Sequence, residues 1–353
     1  PTATERQKAD GFGRFGVRRG YIRIGFENKF MQAVFLPNIT SSGIKFQWAY
    51  AQVKDPWKGV IALKAGVFDR PFGYENAYSS AARESPERAR FIQKLFPGVA
   101  DVGATLILQL PKTSPLNIFK LEAGVLSGNA INPDFDSRMD FIGRLSVNKT
   151  FGNFQIGAGV SAYMGGVLQR DSSVFEVKNG DFALLSKSAD NIGKYAERNY
   201  FGADIQATLQ WEAGKTHIRG EFVTGRQANN QNGNYTYNYS TAAAALEAAG
   251  PVYMRNLSGG YALLSQTFGK LPLTFIVKYD IYDPNSDLSG NQVKKAGDIS
   301  IQTVGAGLFW DIVPQLRLLG YGEFVKTEIS ENLAGYEKSR RSNAFTLRLQ
   351  YKF

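Results

Sequence analysis

A chain of 353 residues that is 43% hydrophobic and 13% aromatic has ample apolar material to fold, and with no cysteine it cannot form disulfides or use thiolates as nucleophiles or metal ligands. No stretch approaches the roughly 18–20 uninterrupted apolar residues that a membrane-spanning helix requires. The 41 Lys and Arg against 31 Asp and Glu give a formal net charge of +10, and these cations are scattered along the chain rather than gathered in one arm or helix, which argues against a nucleic-acid partner.

The chain opens Pro1-Thr2-Ala3-Thr4 with no basic region before an apolar core, so the expectation is that any signal peptide has been removed or was never present. From there the dominant signal is a two-residue period. Ile22, Ile24 and Phe26 alternate with Arg23, and Ile44, Phe46, Trp48 and Tyr50 with Lys45 and Gln47. The pattern continues with Ile61, Leu63 and Ala65 against Lys64, then Val102, Ala104, Leu106 and Leu108 against Thr105 and Gln109. Phe119, Leu121, Ala123 and Val125 flank Lys120 and Glu122, while Phe141, Gly143, Leu145 and Val147 flank Arg144, Ser146 and Asn148. Residues 154–162 follow the same rule.

The clearest run is 200–211, where Phe201, Ala203, Ile205, Ala207, Leu209 and Trp211 share one face, and Asp204, Gln206, Thr208 and Gln210 the other. Tilted strands cross a bilayer in about 9–11 residues, and this run is long enough. Ile218, Gly220 and Phe222 alternate with Arg219 and Glu221, and Phe275, Val277, Tyr279 and Ile281 with Lys278 and Asp280. The last segment sets Phe345, Leu347, Leu349, Tyr351 and Phe353 against Thr346, Arg348, Gln350 and Lys352. The phase is ambiguous at 31–36, 261–268, 299–312 and 316–326, where bulges can intervene.

Short turns, such as 27–29, 55–59, 213–215 and 313–315, take turns with long connections near 38–43, 70–100, 128–138, 167–198, 228–255, 285–298 and 330–341. This is the plan of a transmembrane up-and-down antiparallel β-barrel with tight periplasmic turns and long outer loops. About fifteen strands can be counted, and because bacterial barrels carry an even number, the expectation is about sixteen. The missing strand should lie before residue 16, within 1–12 or upstream. A soluble propeller also has many strands, but its outward face should be polar, whereas here one face is apolar strand after strand, leaving the polar face for a wet interior. The expectation is thus a single all-β barrel domain over 1–353, in the outer membrane of a Gram-negative bacterium.

One region resembles a known family. Gly66, Phe68, Pro71-Phe72-Gly73, then Leu95-Phe96-Pro97-Gly98 and Asp101 with Gly103, match the "G-x-F-x-x-P-F-G", "L-F-P-G" and "D-x-G" pattern of the phosphate-selective porin O and P family. Arg18-Arg19 before an apolar strand and the terminal Tyr351-Lys352-Phe353 also look like that family. The specific part covers roughly an eighth of the chain. The resemblance implies a sixteen-stranded barrel, often trimeric, with a loop folded inward to narrow an anion-conducting pore. It does not carry phosphate specificity onto individual residues here.

By the alternation, Arg19, Arg23, Lys45, Lys64, Lys120, Arg144, Arg219, Lys278, Arg348 and Lys352 face inward, partly balanced by Glu122, Asp204, Glu221 and Asp280. Fixed positive charge in a narrow pore concentrates anions, so these are the candidate pore-lining residues. The alternative for each is an ion pair that braces the wall. Arg70, Arg83, Arg88, Arg90 and Lys94 form a candidate constriction loop, with a short helix expected over 86–95 and Ser85 as its cap. An external loop contacting sugar or lipid headgroups is the other reading of this segment. The Asn- and Tyr-rich 229–239 and the Ala-rich 241–249 read as a solvated loop with a small helix in the second part, an adhesive or partner-binding surface being the alternative.

No catalytic constellation stands out. The lone histidine, His217, sits at a lumen-facing position with no triad partners, and Gly157-x-Gly159, Gly305-x-Gly307 and Gly320-x-Gly322 lack the rest of a dinucleotide fingerprint. Trp48, Trp211, Tyr351 and Phe353 read as lipid-facing girdle residues. The expected function is a passive channel for small anionic solutes, phosphate-like ones among them. No catalytic, metal or other cofactor role is expected. Partners would be lipid and lipopolysaccharide, the solutes, and a homotrimer or another outer-membrane protein. The alternative is a structural or partner-binding barrel plugged by its own loops.

Overall fold

The computed structural model describes residues 13, 15–40, 43–132, 134, 136–233, 250–269 and 271–353. Its strands are β1 (Gly20–Tyr21), β2 (Ile24–Glu27), β3 (Met31–Thr40), β4 (Gly43–Lys54) and β5 (Ile61–Asp69). A short helix α1 (Arg90–Leu95) precedes β6 (Ala100–Leu108), β7 (Phe119–Leu126), β8 (Asp140–Phe151) and β9 (Phe154–Leu168). Then come β10 (Ser173–Lys178), β11 (Asp181–Lys187), β12 (Tyr195–Trp211), β13 (Gly214–Asn229) and β14 (Val252–Phe268). The chain ends with β15 (Leu273–Asp283), β16 (Ile301–Val313), β17 (Leu316–Thr327) and β18 (Arg341–Tyr351).

All eighteen strands belong to one sheet. β1 and β2 both pair with β3, so they are one interrupted wall strand, and β10–β11 is a hairpin within the long connection between β9 and β12. Eighteen strands, less one for that interruption and two for that hairpin, leave fifteen wall strands among the described residues. The sixteenth expected within 1–12 lies outside the described residues. Consecutive wall strands are antiparallel neighbours, and β9 pairs directly with β12. The β12–β13 hairpin runs in unbroken register from Arg198 opposite Gln227 to Trp211 opposite Gly214.

The alternation sorts the two faces as expected. Phe201, Ile205, Ile218 and Phe222 are 49–56% exposed on the outside, while Asp204, Arg219 and Glu221 on the same strands are at most 7% exposed. An apolar outer face suits lipid, which offers the backbone no hydrogen bonds and so demands that the strands satisfy one another.

The structure corrects three expectations about phase and interior. In β4 the register slips opposite Leu36 and Pro37, so that Leu36 faces Trp48 and Pro37 faces Phe46, skipping Gln47. Proline has no N–H for the ladder, and the bulge there reverses the face of the residues beyond it. Trp48 and Tyr50 therefore point inward, 6.5 Å apart edge to face, and Trp48 is not a girdle residue. The interior is also not uniformly wet: Phe68, Phe72, Phe91, Ile92 and Phe96 are buried with Leu257, Tyr261, Leu263, Ile276 and Phe309 in one apolar cluster. Finally, the helix expected over 86–95 is only α1, Arg90–Leu95, and its N-cap is Ala89, with no side-chain cap. The Ser85 hydroxyl instead donates to the Glu87 carbonyl, 2.7 Å away.

The long connections are shorter than expected because β9, β12, β13 and β14 extend past the membrane-spanning length; β12 and β14 have 17 residues each. The helix expected in 241–249 lies outside the described residues.

Candidate pore and its plug

The segment 70–99 leaves β5 and turns into the barrel. Arg70 stays at the turn, its Nε donating to Asp101 Oδ2 at 2.9 Å where β6 begins. Gly73 has φ +62°, a conformation that favours glycine, and its N–H donates to Ser161 Oγ on β9 at 3.0 Å. Phe72 lies against Gly202 of β12, where a Cβ would stand 2.9 Å from the ring. Phe72 then packs on Phe96 at 4.8 Å between centroids, and Phe96 meets Tyr163 and Tyr200 edge-on, each at 5.8 Å. On the far side Phe91 of α1 stacks on Tyr261 at 6.4 Å.

Charge fastens the same segment. Glu75 accepts from Lys278 Nζ at 2.9 Å and from the Ala89 N–H at 2.7 Å, with Arg219 3.7 Å away. Burial opposes its ionisation, but Lys278, Arg219 and Arg83 outweigh burial and hold the carboxyl below its ordinary range. The Glu75 N–H in turn donates to Glu221, which also accepts from the Tyr261 hydroxyl at 2.8 Å. Arg90 donates its N–H to Asp280 at 2.8 Å and its Nε to Thr303 at 2.9 Å. Burial, followed by Glu84, pushes the Tyr78 phenol up to about 12, so it remains a neutral hydroxyl.

The segment touches strands from both ends of the sheet. Arg348 and Gln350 on β18 donate to the carbonyls of Arg83 and Ala81 at 3.3 and 2.8 Å, and Arg18 and Arg19, ahead of β1, pair with Glu87. The wall thus curls round this plug. Open space remains on one side, a crevice of about 360 Å³ between the plug and strands β4, β5, β7 and β8. Trp48, Tyr50, Lys64 and Asp69 line it from the wall, and Tyr74 and Tyr78 from the plug.

The candidate pore cations divide into two groups. Arg144 is paired with Asp204 at 2.9 Å, Arg219 with Glu84 at 2.7 Å, Lys120 with Glu122 at 3.0 Å, and Lys278 with Glu75. Lys64 lies 4.7 Å from the Phe68 ring and 5.6 Å from the Tyr50 ring, and no ion pair to it is among those of the described residues. Arg23 and Lys45 are exposed, Arg348 bonds a backbone carbonyl, and Lys352 lies beyond the end of β18. Of the candidate constriction residues, Arg70 and Arg83 are buried and Arg88 donates to the carbonyls of Glu75 and Tyr78 at 3.1 and 3.2 Å. Arg90 is bound to the wall, and Lys94 alone of the five is exposed. His217 is half-buried, its Nδ1 2.8 Å from the Thr208 hydroxyl oxygen. Among the described residues no three of Asp, Glu or His gather into a metal site.

Several residues that shape the interior escape a reading of the sequence. Trp48 is hidden by the bulge, whereas Tyr74 and Tyr78, which stack at 5.1 Å, offer only their four-residue spacing as a signal. Arg198 with Asp140 and Tyr163, and Arg255 with Asp298 at 2.6 Å, are buried networks at the outer ends of strands, in stretches that read as loops or carry no distinctive pattern.

No family model matches the sequence, and no curated protein matches it. Solved structures do. A loop L8 deletion mutant of OmpT, an outer-membrane protein of Vibrio cholerae, is similar at a TM-score of 0.53 with 9% identity, over 95% of this chain and 90% of that one. The outer-membrane channel DcaP of Acinetobacter baumannii gives 0.51 with 12% identity over 94% and 83%. OprB of Pseudomonas putida gives 0.54 with 8% identity over 92% and 83%. At such identities the likeness establishes the fold alone, that of an outer-membrane β-barrel. It also corrects one expectation: with OmpT among the similar structures, the absence of catalytic activity does not stand as a conclusion, because sharing a barrel fold does not settle whether the barrel is an enzyme.

Proposed function

We propose that the chain is a porin-type diffusion channel for small solutes, with residues 1–353 forming one barrel domain and the crevice beside the plug as the route. The observation that carries this reading is the asymmetry of the plug. Its apolar residues, hydrogen bonds and buried ion pairs hold it against β9 and β12–β18, while its Tyr74 and Tyr78 edge leaves a gap in front of β4, β5, β7 and β8.

Anion preference follows from charge that is left over rather than charge that is counted. Paired cations such as Arg144 and Arg219 present little net field to a solute, because the partner carboxylate cancels them at short range. Lys64 in the crevice, with Arg23 and Lys45 exposed on neighbouring strands, remains to attract anions. The resemblance of 63–108 to the phosphate-selective porin O and P family keeps phosphate among the solutes to be tested, and a homotrimer in lipid and lipopolysaccharide is the assembly it suggests. Reconstitution into planar bilayers under a potassium chloride gradient tests the proposal. A reversal potential on the chloride side is expected; a cation-selective channel would remove the charge argument.

A second reading is a barrel closed by its own loops and acting through partners. The buried cluster that fills part of the interior favours it. Absence of conductance together with a stoichiometric copurifying surface protein would establish this reading over the first.

A further inference from the structure

The crevice beside the plug is lined by two aromatic pairs of different origin. Trp48 and Tyr50 project from β4 with their centroids 6.5 Å apart at 61°, and Tyr74 and Tyr78 stack on the plug at 5.1 Å and 30°. Ring faces of this kind bind other flat rings by dispersion and quadrupole contact and give little to a compact hydrated ion. A route meant only for inorganic ions has no physical need of them.

The charges in the same space are nearly balanced. Lys120 is matched by Glu122 at 3.0 Å, and Arg144 by Asp204 at 2.9 Å. Asp69 accepts from the Gln47 amide at 3.0 Å. Lys64 is the lining cation for which no ion pair is found among the described residues, and the faces of Phe68 and Tyr50 hold its ammonium 4.7 and 5.6 Å from their centroids. Cation–π contact steadies an ammonium without using its N–H donors in a strong hydrogen bond, so those donors remain for an acceptor. Asp69 has no ion pair among the described residues either, so the lining holds no surplus charge, and the one free ammonium suits a single carboxylate. A dianion would need a second, and the neighbouring cations already have partners.

We propose that this crevice is a binding site for ring-bearing monocarboxylates, with the ring taken between the wall pair and the plug pair and the carboxylate by Lys64. The proposal rests on the channel reading and makes it more specific. A ring without charge would forgo Lys64, and a carboxylate without a ring would forgo the four aromatic residues. The combination is what the lining rewards.

The test uses the full chain in planar bilayers, with potassium chloride as carrier and benzoate, acetate and benzamide as probes. Benzoate is expected to interrupt the current at lower concentration than either of the others. Lys64→Gln is expected to weaken block by benzoate about tenfold, the value of one charge-assisted hydrogen bond, and leave benzamide unaffected. Lys64→Arg should restore most of the loss, which a merely structural lysine would not do. Tyr74→Ala, at the edge of the plug, should weaken benzoate and benzamide alike by about fivefold. Equal block by acetate and benzoate, or insensitivity of benzoate block to Lys64→Gln, would overturn the proposal. If no current flows in potassium chloride alone, the channel reading fails separately. The site is then read by fluorescence of a chain with Trp57, Trp211 and Trp310 replaced by Phe: saturable quenching of Trp48 by benzoate supports the site, and its absence overturns it.

Discussion

Glu75 and Lys278 stand 203 positions apart in the chain, yet the glutamate carboxylate accepts from the lysine ammonium at 2.9 Å with both side chains almost wholly buried. One lies on the plug and the other on β15, so this contact joins the barrel's contents to its wall. Removing one member of a buried pair strands the other, while Arg219, 3.7 Å from Glu75, keeps its pairing with Glu84 at 2.7 Å. Glu75→Ala is expected to lower stability by about 3–5 kcal/mol. The check is the urea midpoint for loss of the folded, heat-modifiable band on electrophoresis. Single-channel currents from the surviving folded fraction should be noisier than those of the parent.

The same carboxylate predicts a pH dependence. Its folded pKa lies below the ordinary glutamate value of 4.5, because Lys278, Arg219 and Arg83 overcome the effect of burial. A group with a depressed folded pKa contributes stability that is fully present above its unfolded pKa and disappears as pH falls through the folded one. The plug should therefore hold down to about pH 4.5 and loosen only below it. Current noise recorded from pH 7 downward tests this, with Glu75→Gln expected to abolish the acid step. A parent channel that loosens as pH rises would refute the assignment.

How much of this is legible in the sequence depends on what each strand faces. β12 and β18 can be read directly because their inner residues, Asp204 and Gln206 or Arg348 and Gln350, are polar and their outer ones apolar. β14 cannot, since Leu257, Tyr261 and Leu263 on its inner face pack on the plug, making both faces apolar and erasing the alternation. β4 reads in the wrong phase beyond Gln47, where the bulge opposite Pro37 changes the face. The motif of Phe68, Pro71-Phe72-Gly73 and Leu95-Phe96-Pro97-Gly98 is visible as a pattern. Its purpose is not: the phenylalanines are the plug's apolar contacts, and Gly73 and Gly98 supply positive φ. Which cations are cancelled by carboxylates depends on contacts such as Arg144 with Asp204, 60 residues apart, that no local spacing encodes.

Gly259 on β14 faces the helix of the plug, and a Cβ there would stand 2.8 Å from the Cβ of Phe91. Gly259→Val should therefore push Phe91 away from Tyr261 at a cost of about 1–3 kcal/mol for the overpacking. Under the proposed channel function, single-channel conductance is expected to fall as the plug is pushed off β14 towards the crevice. Unchanged conductance in a folded variant would show that the plug does not limit the current.

The turn at 55–61 offers a measurement well away from the pore. The Asp55 carboxylate accepts four backbone N–H groups, from Lys58, Gly59, Val60 and Ile61, at 2.6–3.1 Å. The bonds from Ile61 and Lys58 do most to lower its pKa from 3.8 to about 2. Its contribution to the turn is present above pH 3.8 and fades as pH falls through about 2. Carboxyl-carbon NMR titration should place the midpoint near the lower value, and Asp55→Ala should increase amide exchange at Lys58 and Gly59.

The inward placement of Trp48 can be decided by light. Four tryptophans are present; Trp211 and Trp310 are 54% and 47% exposed on the outer face, Trp57 is 87% exposed in a turn, and Trp48 lines the crevice. In vesicles of lipid brominated along the acyl chain, single-tryptophan chains keeping Trp211 or Trp310 should be strongly quenched, since bromine quenches at short range and these rings touch the acyl region. A chain keeping only Trp48 should be spared by brominated lipid and quenched by aqueous iodide, which can enter a crevice that carries an unmatched Lys64. Strong quenching of Trp48 by the brominated chains would return β4 to the unbulged phase and turn Trp48 and Tyr50 together toward lipid. The aromatic lining of the crevice would then lose its wall half.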